Sequence, residues 1–181
     1  EASLKAGEEG LFYRTWANQA SYTFSKISRQ KGAEIAKAMN EYSQQHDSKL
    51  GIYYSSLTNA GQASTLRMED DALKLYQKAI EYKQKFLPDI HASAAYLGAA
   101  KVYYNTGQKE KVLEITDKAL AEPELIGSGI VDAWSYRCMA AMLSDPADCK
   151  EEMNRAYKEW KKAKEEYQYN STFSELIEVY H

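Results

Sequence analysis

Between Asp71 and Tyr82 the apolar residues Ala72, Leu73, Leu75, Tyr76, Ala79, Ile80 and Tyr82 return mainly at i, i+3, i+4 and i+7, which is the pattern of a helix with one buried face. From Cys149 to Tyr167 the stripe Met153, Ala156, Tyr157, Trp160, Ala163 and Tyr167 predicts another, with Lys and Glu on its far side, and it should be the longest helix of the chain. No segment alternates apolar and polar residues between turn signals, so no strand is predicted. Breakers cut the helical stretches. Asp145-Pro146 offers a capping side chain and a proline at the first helical position, and Thr172 with Glu175 has capping-box spacing. Asn105-Thr-Gly107 closes a helix, and Leu87-Pro88-Asp89 separates two more. The expected fold is all-α, with eight helices and the start of a ninth.

Ala20, Ala60, Ala100 and Ala140 stand 40 residues apart, and the same shift aligns more than one column. Trp16, Ser56, Tyr96 and Tyr136 superpose, as do Tyr13 with Tyr53 and Tyr42 with Tyr82. In second helices a small-aromatic-small pattern appears at Ala72, Tyr76 and Ala79 and at Ala156, Trp160 and Ala163. It weakens at Val112, Thr116 and Ala119 and at Gly32, Ala36 and Met39. Small residues are needed where two helix axes approach, and a large side chain one turn away fills the groove that remains. One hairpin cannot bury its apolar face alone, so repeated hairpins stack on their neighbours. The units run at about 10–47, 48–87, 88–127 and 128–169, with 170–181 as the first helix of a further one.

Tyr96, Ala100, Tyr103, Gly107, Ala119 and Pro123, with Gln108-Lys-Glu-Lys-Val112, resemble the tetratricopeptide consensus. The third unit carries the match best and the first least. The period of 40 exceeds the family's about 34 residues, Arg67 and Ile27 stand where a turn glycine is usual, and Glu122 to Val131 reads as an extended Gly-rich loop. The resemblance implies a right-handed α-solenoid of about four antiparallel hairpins whose first helices line a concave face. It would place Arg14, Phe24, Tyr54, Lys101, Tyr104, Asn105, Trp134 and Arg137 there as partner-binding residues, although packing between hairpins accounts equally well for Phe24, Tyr54 and Trp134. The Lys and Asn set of carboxylate-binding members is absent, with Ala17, Leu57 and Leu97 at one relevant column. More loosely, FYRTWANQASYTFSK, HDSKLGIYY and AYKEWKKAKEEY are similar to extracytoplasmic helical-repeat segments of bacterial sensor histidine kinases and related membrane-anchored regulators.

Composition narrows function by exclusion. The chain has 181 residues, 44% of them hydrophobic and 27% charged, and a net charge of −3 with no basic stripe, so nucleic acid is a poor partner. Its longest apolar run, Cys138 to Leu143, is far short of a membrane span, so any membrane attachment is expected through segments outside this stretch. Neither terminus reads as a natural end, and the chain is expected to be part of a longer one.

Candidate chemistry is sparse. His46, His91 and His181 are scattered and lack metal-ligand spacing. Gly127-Ser-Gly129 follows no strand and makes no phosphate fingerprint. The pairs Asp70-Asp71, Glu151-Glu152 and Glu165-Glu166 suit solvated helix faces and first turns. Cys138 and Cys149 flank the Asp145-Pro146 turn, where a bridge is sterically open but small apolar packing is favoured. Asn170-Ser-Thr172 fits a glycosylation acceptor and, better, a helix cap. The expectation is a module without enzymatic activity, cofactor or metal that binds a protein, peptide or ligand. Its setting would be a sensor ectodomain with an extracytoplasmic location, or alternatively a cytoplasmic regulator or scaffold segment joined to a DNA-binding or catalytic domain.

Overall fold

The computed structural model describes residues 2–88, 93–122, 125, 127–168 and 177. They form eight α-helices and one short π-helix, with no strand among the described residues. The chain divides into two compact units, Glu1–Ile90 and His91–His181.

The first unit contains α1 (Ala2–Tyr22), a π-helical turn (Thr23–Ile27), α2 (Arg29–Gln45), α3 (Lys49–Thr65) and α4 (Glu69–Phe86). Each helix packs on the next, and α1 also packs on α3. The second unit contains α5 (Ser93–Asn105), α6 (Lys109–Leu120), α7 (Gly127–Ala141) and α8 (Pro146–Tyr167), again packed in succession, with α5 also against α7. At 22 residues α8 is the longest of the eight.

The small-residue columns are buried throughout. Ala20, Ala60, Ala100 and Ala140 are inaccessible to solvent, as are Ala36, Ala72, Val112 and Ala119. Trp160 and Tyr76 are buried in the aromatic column between them. Glycine serves the same purpose at Gly51, where an added Cβ would stand 2.3 Å from Ser43 Oγ of α2 and 2.5 Å from the Tyr13 ring of α1. Three helices therefore meet at a point that admits no side chain.

Three turns are built alike. The amides of Ser48, Met68 and Gln108 donate to the carbonyls of Ser43, Ala63 and Tyr103, and the amides of Asp47, Arg67 and Gly107 donate to those of Gln44, Ser64 and Tyr104. This paired bonding closes a helix through one left-handed residue, and the φ values are 47° at Asp47, 62° at Arg67 and 71° at Gly107. Arg67 thus adopts the left-handed conformation that Gly107 takes in its own turn. Ile27 does not. It ends the π-helix, and extended Ser28 starts α2 by accepting a hydrogen bond from the Lys31 amide.

The expected loop at 122–131 needs correction, because α7 already begins at Gly127. Gly127 and Gly129 serve close packing and not a flexible link: a Cβ on either would stand 2.6 Å from the Tyr167 ring or the Leu125 side chain. Asp145 caps α8 through the Ala147 amide, with Pro146 at the first helical position. Cys138 and Cys149 are buried and unbridged. Asp89, His91, Pro123 and all of 170–181 except Ile177 lie outside the described residues, including the Thr172 cap, the Asn170 motif and His181. Ile177 itself is buried with Val131, Cys138 and Trp160.

Candidate functional site

In the first unit α1 carries two adjacent apolar stripes. Tyr13 and Ala20 form the inner one and are buried. Leu11, Phe12 and Trp16 form the outer one, interspersed with Thr15 and Gln19, and here Leu11 is 56% and Phe12 48% exposed. From α2, Tyr42 reaches the same surface at 39% exposure. Phe12 meets Trp16 edge-on at 5.4 Å, and Tyr42 lies 6.1 Å from Phe12 and 5.7 Å from Trp16. His46 stacks on Tyr42 at 4.0 Å, with its Nδ1 2.9 Å from the Tyr42 carbonyl oxygen. Mutual ring contact keeps these aromatics ordered without burying them.

Two clefts flank this ridge, and Phe12 and Tyr42 line both. One, of about 600 Å3, runs along α1 past Glu8, Leu11, Thr15, Trp16 and Gln19. The other, of about 780 Å3, reaches Glu9, His46, Lys49, Phe86 and Pro88. The turn between α2 and α3 shapes it. Ser48 Oγ accepts from the Gly51 amide as the cap of α3 and donates to Glu9 Oε1 at 2.6 Å, which ties α1 to that turn. Lys49 pairs with Asp47 and sits 5.4 Å from the centre of the Phe86 ring.

The residues expected on a concave face are distributed between the units. In the first, Arg14 is exposed, Tyr54 is half-buried with its ring edge-on to Tyr53, and Phe24 is buried in the π-helix, where its backbone closes over Gly32. In the second, Lys101 and Asn105 are exposed on α5, while Tyr104 packs against the cluster of Ala100, Val112, Tyr136 and Met139.

Trp134 and Arg137 are brought together. The guanidinium lies 5.2 Å from the Trp134 ring centre and donates to the Leu113 carbonyl, to Thr116 Oγ1 and to the Asp117 carboxylate. Both residues line a cleft of about 370 Å3 with Glu151, Glu152 and Arg155. Arg137 therefore fastens α7 to α6 while it borders the cleft. Nearby, Lys109 bridges α6 to Glu152 of α8 at 2.7 Å and donates to Ser144.

The outer stripe of α1 is not among the residues that the tetratricopeptide resemblance places on a concave face. Its signal was present in Leu11, Phe12 and Trp16 beside Tyr13 and Ala20: a helix apolar over so much of its circumference has more than one face to cover.

The described residues hold no His, Cys, Asp and Glu cluster able to bind a metal. No described helix is long and apolar enough to cross a membrane. Burial pushes the Cys138 thiol up to about 12, the opposite of what a nucleophilic cysteine needs. Burial also raises Asp132 on α7 above the ordinary carboxylate range. What the ridge offers is aromatic area between two acid-bearing clefts, which suits binding. No family model, curated protein or solved structure matches the chain.

Proposed function

We propose that the chain is a non-catalytic interaction module built from tetratricopeptide-like hairpins, and that it binds a protein or peptide. The packing of α1 on α3, and of α5 on α7, supports the repeat reading, since first helices of successive hairpins contact each other in such solenoids. The observation that carries the binding reading is the ridge of exposed Leu11, Phe12 and Tyr42 around half-buried Trp16. Large aromatics grouped at a surface are the usual anchors of protein interfaces, because they bury much area at small cost in conformational entropy.

A photo-crosslinking side chain at Leu11 should capture the partner, and one at exposed Lys161 of α8 should not. With that partner, Phe12→Ala should weaken binding by about 2 kcal/mol or more, as calorimetry would measure, with helicity and melting unchanged. Undiminished affinity in both Phe12→Ala and Trp16→Ala would reject the ridge as the site.

A further inference from the structure

We infer that the segment bound at this ridge is an amphipathic helix of another protein, with basic residues beside its apolar stripe. The inference rests on the interaction reading above and adds the partner's shape and charge.

Shape comes from the spacing of the lining residues. On α1 the smaller cleft is lined at positions 8, 11, 12, 15, 16 and 19, the i, i+3, i+4, i+7 row by which one helix receives another. At 1.5 Å per residue that row is about 16 Å long, matching roughly three turns of a bound helix. Tyr42 of α2 borders this shallow cleft on one side, so a helix laid along α1 meets an aromatic flank as well as the α1 row.

Charge comes from the acids. Glu8 lines the smaller cleft and Glu9 the larger one, and no ion pair joins either to a cation from residue 7 onward whose side chain is described. Glu9 accepts a hydrogen bond from the Ser48 hydroxyl. Lys49, the cation of the larger cleft, is already engaged by Asp47. A basic side chain entering beside the ridge gains a carboxylate and the face of Phe12 or Tyr42 together. An acidic helix would meet like charge, and a wholly apolar one would strip water from the carboxylates without replacing it.

The test uses the 181-residue chain and two fluorescein-labelled peptides of about four turns, one Leu/Lys and one Leu/Glu, with the same apolar stripe. Fluorescence anisotropy should show the Leu/Lys peptide binding at least about tenfold more tightly, and less tightly as salt is raised. Glu8→Gln with Glu9→Gln should weaken it about fivefold and flatten the salt dependence. Phe12→Ala should weaken it about thirtyfold. Equal binding of the two peptides, or indifference to the Gln pair, overturns the basic partner and leaves the ridge as an apolar site. Absence of binding by either peptide, or indifference to Phe12→Ala, overturns the ridge as well. A concentration-dependent dimer in sedimentation that Phe12→Ala abolishes would assign the ridge to a second copy and overturn the proposal.

Discussion

At the residue scale, the turns separate backbone conformation from packing. Gly107 is left-handed, with φ 71°, and a Cβ there would touch nothing within 4 Å. Gly107→Ala therefore probes conformational strain alone and should cost about 1 kcal/mol in urea denaturation. Arg67 bears that strain now, at φ 62°. Arg67→Gly should relieve it, although the added freedom of the unfolded chain offsets part of the gain, so the net effect is stabilisation of up to about 1 kcal/mol. The 3.8 Å contact of exposed Arg67 with half-buried Glu69 is too long and too solvated at its arginine end to reverse that sign. Effects of equal sign at the two positions would refute the shared turn geometry.

At the scale of the element, helices are set by their ends and by the points where they cross. Asp145→Ala removes the acceptor for the Ala147 amide at the start of α8 and should lower stability by about 1 kcal/mol. Ala60 and Ala100 are fully buried on α3 and α5. Leucine at either has no room to enter and should cost about 1 to 3 kcal/mol through overpacking, read as a lower thermal or urea midpoint. If both midpoints stay put, neither alanine lies at a close helix contact.

For the whole molecule, alkali should act on both units. Burial pushes the Tyr76 phenol of the first unit from 10.0 up to about 12 and the Cys138 thiol of the second from 9.0 up to about 12. Between the ordinary value and the raised one, the folded state holds a proton that the unfolded state has released. Stability therefore falls as pH rises through roughly 9 to 12, by about 1.4 kcal/mol per pH unit for each group that is out of step. Below pH 9 neither group contributes a slope. Tyr76→Phe should shift the alkaline unfolding midpoint of the first unit upward while leaving behaviour at pH 7 to 8 nearly unchanged. An identical alkaline profile would mean that the phenol ionises without opening the core.

Much of the architecture is written locally. The 3.6-residue periodicity of α4 and α8, the Asp145-Pro146 start and the Gly107 stop depend on residues within a turn or two of one another, so the sequence by itself determined an all-helical chain with its breaks and its buried small-residue columns. Tertiary contact decided the rest. Phe12 and Tyr13 are neighbours of similar chemistry, and only the meeting of α1 with Ser43 and Gly51 makes one of them core and the other surface. Arg137 looks like a free cation until Thr116 and Asp117, a helix away, take up its guanidinium. Gly127 looks like part of a linker until Tyr167 of α8 closes on it. In each case the deciding partner is distant along the chain or on another helix, and its position follows from the packing of whole helices and not from the residues next door.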